Sequence, residues 1–287
     1  MGADMETEEE GAVMRWPASE TVIISDLDGT LLDRQQQISP ENAEAIAAFR
    51  KAGGTFVIAT GRPWTSALPY ARQLELEQPF IAGNGAQLYC PRKSAVLHTS
   101  RLSIQPEHSR WLYEQHLQDK GLGLLLYDGE QMLTPSRNDL IVRHERKDNV
   151  PSKAVELTKW QEAALSAVKL LAIAATPEMA EVLDYQWSRL RPGSTTVFSE
   201  SNYLEILPDG CCKGNALQQL VALQGWQHKQ LIAVGDQMND AELLEVATLG
   251  IATGNAVAEL QDRADAVTIS HDRHAIAHII KERIAAF

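Results

Sequence analysis

Cysteine is scarce in this chain, positive charge is in deficit, and no apolar run is long. Three cysteines in 287 residues are too few for a disulfide framework, which points to a reducing, cytoplasmic setting. Two of them, Cys211 and Cys212, are adjacent, which strains any bridge between them. Lys and Arg number 26 against 38 Asp and Glu, a formal charge of −12. Such a chain lacks the long-range field that gathers nucleic acid or an anionic membrane surface, so neither is expected as a partner. An anionic ligand would have to be attracted by local cations or a metal. No stretch approaches the roughly 18 apolar residues needed to span a bilayer. The opening MGADMETEEEGAVMRWPASE has no basic segment followed by an apolar one, as a secretory leader requires. Glu6 stands where a myristoylation signal wants Ser or Thr. Residues 1–18 therefore read as a flexible, solvated tail. Internal repeats, heptads and low-complexity tracts are missing too, and oligomeric state cannot be read.

What the chain does have is ordinary core material, 44% hydrophobic residues against 22% charged. Short aliphatic runs recur, each followed by turn residues: TVIIS (21–25), TFVIAT (55–60), PFIAGNG (79–85), LIAVGD (231–236), LGIATGN (249–255) and AVTIS (266–270). Unalternated β-branched runs indicate strands covered on both faces. Helical stretches lie between them. SPENAEAIAAFRKAGG has Ser39 as N-cap, Pro40 in the first turn and Gly53–Gly54 as its stop. NDAELLEVATLG is a second such stretch. This alternation predicts an α/β fold, a Rossmann-like parallel sheet. The middle differs. GLGLLLYDGEQMLT, VKLLAIAAT and TTVFSESNYLEILPDG read as strands, and QPEHSRWLYEQHLQDKG and TPEMAEVLDYQWSRLRPG as helices. The expected organisation is a core built from 19–86 and 209–287, with an α+β module inserted over 87–208.

The unusual residues sit where strands end. In a doubly wound sheet, ligands bind at the carboxyl ends of the strands. Asp26 and Asp28 follow the first run in D-x-D-G-T. Residues two apart in extended chain project to one side, so two carboxylates there repel unless a cation is near. Gly29 permits a sharp turn and a close backbone approach. A calcium loop would need its glycine at position six and a Glu at twelve. Here Gly29 falls at four, and Gln37 occupies position twelve. Asp236 ends the LIAVGD run, with Asn239 and Asp240 where the next helix begins; helix capping accounts for either of the latter but not for Asp236. Asp26, Asp236 and Asp240 together make an oxygen-only donor set, which suits Mg2+, and no His or Cys is near enough in sequence to suggest zinc. Thr60 and Gly61 in ATGRP form a small anion cradle. Lys213, followed by Gly214 at a helix start, adds a cation beside a helix's positive end, again suited to an anion.

D-x-D-G-T, Thr-Gly-Arg, Lys-Gly and G-D-x-x-N-D occur in that order. In this the chain resembles the haloacid dehalogenase superfamily, and most of all its Cof-type sugar phosphatase branch with a C2-type cap. SPENAEAIAAFRKAGG and NGAQLY (84–89) resemble that branch as well. The resemblance covers nearly all of the core; the insert matches only in length and pattern. The tail and the paired cysteines depart from the family's pattern without touching its motifs. The resemblance implies a Mg2+-dependent phosphatase acting on a small phosphorylated metabolite, most of all a sugar phosphate. Asp26 would be the nucleophile, forming an aspartyl-phosphate. Asp28 would be the general acid and base, with a raised pKa, touching the metal through its backbone carbonyl. Asp236 would be the second metal carboxylate, and Asp240 would orient Lys213 or a metal water. Thr60, Gly61 and Lys213 would hold phosphoryl oxygens, assisted by Asn239. A phosphomutase would share this site, and a phospho-acceptor signalling module would share its aspartates, Thr and Lys. For substrate contacts in the insert the candidates are Arg101, Arg110, Arg143, His144, Arg146 and Lys153, each weighed against plain surface charge. Trp64 either lines the site mouth or packs under the insert. His271, His274 and His278 are expected on one terminal helix as a solvated face.

Overall fold

The computed structural model describes residues 14–129, 131–190 and 193–286. The chain opens with strand β1 (Thr21–Ser25), helix α1 (Pro40–Lys51), β2 (Thr55–Ile58), α2 (Trp64–Gln73) and β3 (Phe80–Ala82). Ser39 caps α1 by accepting from the Asn42 N–H at 3.2 Å, with Pro40 in the first turn. Strands β4 (Gln87–Cys90) and β5 (Ala95–Thr99) follow. Next come α3 (Pro106–Gln118), β6 (Leu122–Tyr127), β7 (Met132–Thr134), α4 (Asp139–Asp148), β8 (Ser152–Ala154) and α5 (Leu157–Ala164). The insert closes with β9 (Lys169–Ala174), α6 (Pro177–Leu190), β10 (Ser194–Glu200) and β11 (Tyr203–Pro208). The chain returns through α7 (Lys213–Gln224), β12 (Gln230–Gly235), α8 (Ala241–Glu245), β13 (Leu249–Ala252), α9 (Ala258–Arg263), β14 (Ala266–Val267) and α10 (Ala275–Arg283).

The core sheet has the order β14-β13-β12-β1-β2, and every neighbouring pair is parallel. All five residues of β1 are buried, as its unalternated aliphatics require. The chain steps from β1 to β2 on one side and enters β12 on the other. That reversal opens a crevice at the strand ends, where Asp26 and Asp236 sit. A parallel bridge from Ala59 to Ile81 extends the sheet to β3, which pairs antiparallel with β4, and β4 with β5.

The insert is a second sheet, ordered β10-β11-β9-β6-β7-β8 and antiparallel except between β7 and β8. Strands β6, β7 and β9, and β11 beyond its first residue, are buried on both faces, and alternation sorts their residues. Leu170, Ala172, Leu204 and Ile206 pack under α3, α5 and α6 beside Leu112, Trp160 and Leu183. The odd-numbered partners, Leu171, Ile173 and Leu207, pack with Ile141 of α4 on the opposite face. That opposite face looks towards the core.

Packing moves two expected limits. Leu88 and Tyr89 belong to the hydrophobic cluster of the core, whereas Leu102 and Ile104 belong to that of the insert. The inserted module therefore begins near residue 100 and not at 87, because β3-β4-β5 hang on the edge of the core sheet. Of the expected tail, residues 1–13 lie outside the described residues. Trp16, however, bridges Ile284, its N–H donating to the Arg283 carbonyl at 2.9 Å, and Ala18 is buried. Among the described residues no helix is long and apolar enough to cross a membrane.

Trp160 is fully buried, and its indole N–H donates to the Ser109 carbonyl at 2.9 Å. Trp160→Ala is expected to cost about 3–5 kcal/mol through the cavity it leaves, read as a lower midpoint in denaturant unfolding.

Candidate active site

The turn after β1 is made by Gly29, whose φ of +69° favours glycine, and a Cβ there would lie 2.3 Å from Asp236 Oδ2. The loop and the acid from β12 are packed that tightly. Asp26, Asp236 and Asp240 each present a carboxylate oxygen within 4.8 Å of the others, and all three are buried. A single ammonium serves them. Lys213, wholly buried at the start of α7, contacts Asp26 Oδ1 at 2.7 Å and Asp240 Oδ1 at 2.6 Å. The other oxygen of Asp240 accepts the N–H groups of Asp236 (3.1 Å) and Gln237 (3.3 Å). Asp240 is thus occupied at both ends and fixes Lys213. Asp236 accepts from the Thr30 hydroxyl at 3.0 Å.

Three buried carboxylates around one ammonium leave a deficit of positive charge. Burial pushes the Asp26 carboxyl up to about 7, Lys213 offsetting part of this while Asp240 and Asp28 add to it. Burial likewise raises Asp236 well above the carboxylate range, with the neighbouring Asp26 and Asp240 charges adding to it. An all-oxygen, over-acidic pocket is the donor set a hard divalent cation requires, so the residues present fit Mg2+.

Asp28 departs from its expected state. Its side chain lies outside that cluster and faces Arg62, whose Nε and Nη2 each bond one carboxylate oxygen at 2.7 Å. Burial alone would raise the Asp28 pKa, but the paired bonds and charge of Arg62 outweigh it and hold the carboxyl below its ordinary value. The expected raised pKa is therefore corrected: a bidentate guanidinium stabilises the anion. Arg62 was visible in Thr-Gly-Arg, yet no spacing rule connects it to a residue 34 positions earlier. Gln36 holds the same guanidinium.

Gly61 and Asn239 line a cavity of about 300 Å³ together with Asp26, Asp28 and Asp236. Thr60 and Lys213 are buried against that lining; the Thr60 hydroxyl accepts the Arg62 N–H at 3.1 Å. Asn84 was not singled out from the sequence as a site residue. It adopts φ +53° in a buried turn, accepts the Asn239 amide at 2.9 Å and donates its N–H to the Thr60 carbonyl at 3.0 Å. It ties two of the proposed phosphate-binding segments together.

The insert closes the cavity with His144, Lys147 and Asp148 from α4, Lys169 from β9, and Glu200 and Glu205 from the last two strands. Of the six insert candidates only His144 faces it. Arg101 bonds the Asp128 and Ser166 carbonyls, Arg110 pairs with Glu114 on the surface, and Arg143, Arg146 and Lys153 are exposed. The signal that finds the others is helical period: 144, 147 and 148 share one face of α4. Trp64 packs under the insert, stacked 4.3 Å from Tyr89 and donating to the Gly129 carbonyl at 3.1 Å. Only His278 of the three late histidines lies within α10. His271 is in a short turn bonded to the Leu32 carbonyl, and His274 precedes α10 at φ +62°.

A sequence profile of the haloacid dehalogenase-like hydrolases matches residues 23–280. A putative phosphatase of Bacillus subtilis, YxeH, is 29% identical over 92% of this chain and 98% of its own length. The pyridoxal phosphate phosphatase YbhA of Escherichia coli is 28% identical over 90% and 97%. A crystal structure of a haloacid dehalogenase-like hydrolase from Bacteroides thetaiotaomicron superposes with a TM-score of 0.77 at 26% identity, covering 91% of this chain and 98% of that one.

The charge deficit has a measurable sign. Asp26 stands at about 7 in the fold against 3.8 when unperturbed. Between those values the folded state binds the extra proton, so this group's contribution to stability falls as pH rises through the interval. Thermal melting of the metal-free chain should show that decline, and Asp26→Asn should flatten it. An unchanged slope in the variant would refute the assignment.

Proposed function

The chain belongs to the haloacid dehalogenase-like hydrolases, and from that premise we propose that it is a Mg2+-dependent phosphatase of small phosphorylated metabolites, foremost sugar phosphates. The observation that carries this reading is Asp26: a buried carboxylate at a strand end, held by Lys213 at 2.7 Å and facing a 300 Å³ cavity through which a phosphate ester can reach it. Asp26, the Asp28 backbone carbonyl and Asp236 would hold the ion, which when bound supplies positive charge to the transferring phosphoryl group.

Asp26 attacks phosphorus through one carboxylate oxygen. The bond to the leaving oxygen breaks, and an aspartyl-phosphate forms. Water then cleaves that phosphate and restores Asp26. Lys213, the Gly61 backbone and the Thr60 loop would stabilise the equatorial oxygens, with Asn239 beside them. Asp240 keeps Lys213 aimed. Asp28 would take the proton of the attacking water, and its lowered pKa supports that half of the cycle. In the first half it must carry a proton to the leaving alkoxide, so Arg62 has to loosen its grip when substrate enters. Asp148, from the insert, lies 3.9 Å from the Arg62 guanidinium and offers it an alternative partner.

Sugar phosphates fit the wall chemistry. Leu171 is the aliphatic side chain lining a cavity otherwise rich in charged and polar groups that can bond hydroxyls, and Tyr203 in the same wall offers a ring face on which a sugar can rest. Three free thiols suit a reducing compartment.

Phosphate release from a panel of phosphorylated metabolites tests the proposal. Asp26→Asn is expected to abolish it, and Asp28→Asn to lower kcat by about 10²–10⁴. Chelation should silence the enzyme and added Mg2+ should restore it. Retention of more than about 1% of activity by Asp26→Asn would remove the nucleophile, since general acid–base loss alone spans that range.

A further inference from the structure

We infer that Glu200, by neutralising Lys147 on the insert's side of the cavity, restricts the site to monophosphates whose leaving group carries no second negative charge. This rests on the phosphatase reading and adds to it a residue and a substrate property. Each cation that lines the cavity already has an anionic partner among the described residues. Arg62 holds Asp28, Lys169 holds Glu205 at 2.5 Å, and Lys147 holds Glu200. The insert's wall also carries Asp148, a third carboxylate against its two ammoniums. His144 adds nothing positive near neutral pH, because burial lowers its pKa, with Asp148 opposing only in part. A second phosphate or a carboxylate would meet a wall of its own sign and lose its water without gaining a partner. Hydroxyls meet acceptors instead.

The two lysines are not equivalent. The Lys169 side chain is 3% exposed, and its ammonium also donates to the Gly61 carbonyl at 2.7 Å and lies 4.6 Å from the Tyr127 ring centre. It cannot turn to a ligand without breaking the tie between the insert and the phosphate loop. Lys147 is 29% exposed, is held by Glu200 and rests 5.3 Å from the Tyr203 ring centre. It alone of the pair is free to swing once its carboxylate is gone. Glu200 reaches it because the register between β10 and β11 shifts at Phe198/Glu200, which lets both Ser199 and Glu200 face the cavity.

The test compares kcat/KM for glucose 6-phosphate, 6-phosphogluconate and glucose 1,6-bisphosphate. The wild type should favour the uncharged sugar by at least about tenfold, as like-charge juxtaposition does at binding surfaces. Glu200→Gln should narrow that ratio by about tenfold, through KM for the two charged esters, since Lys147 then loses its hydrogen-bonded carboxylate and keeps only the more distant charges of Asp28 and Asp148. The double variant Glu200→Gln, Lys147→Met should lose the gain. A merely structural role for Glu200 would shift all three substrates together and leave the ratio alone. The inference is overturned if the wild type already treats the three alike, if Glu200→Gln leaves the ratio unmoved, or if the gain survives without Lys147. Should folded protein cleave none of the esters, nor any other on the panel, the phosphatase reading itself fails; cleavage without discrimination sinks only the inference.

Discussion

Lys213 is the one ammonium placed among three carboxylates that burial would otherwise drive apart. Its contacts with Asp26 and Asp240 join the start of α7 to the end of β1 and the start of α8. Without it, like charges would sit within a few ångströms in a medium that screens poorly. With it, three carboxylates against one ammonium still leave two negative charges unmatched, the charge pattern that suits a cation. The tight turn at Gly29 and the double role of Asp240, on Lys213 and on two backbone N–H groups, are consequences of the same packing. A site of this kind is costly to the fold and useful to the chemistry for one reason: its electrostatics are completed only by ligands.

The inserted module supplies one wall of the cavity. Alternation along its strands turns one set of side chains to its own helices and the other to the cavity. It touches the core at few polar points, among them Lys169 on the Gly61 carbonyl and the Ser66 hydroxyl on the Asp148 carbonyl at 2.6 Å. Through Asp148 and Arg62 the module also reaches Asp28. Position of the insert and surroundings of the Asp28 carboxylate are therefore linked by contact, in a chain of buried charged groups. This gives the module two tasks, shaping the wall and setting the surroundings of Asp28.

Legibility from sequence varied with the range of the interactions involved. The core strands and α1 could be read because burial on both faces and end-capping are local. Helix α2 was not foreseen, since Pro69 inside it reads as a breaker, although the helix ends only four residues later. Helix α4 was missed because its buried face is made of Ile141, His144, Glu145 and Asp148, three of which look like surface residues. Misplaced too were the start of the insert and the extent of the tail, each corrected by a strand or bridge pairing with distant chain. Arg62, Asn84 and Lys147 gained their interest only from neighbours far along the sequence.

The sequence by itself determined the strand-end aspartates, the glycine after them, the lysine at a helix start and hence the family, because those features are short-range and each residue type has few alternative uses in that setting. Tertiary structure alone decided which acids share Lys213, that Asp28 is held as an anion by Arg62, and which insert residues reach the cavity. Charge state and pocket shape depend on what surrounds a group in space, and burial, pairing and distance are not written in order along a chain.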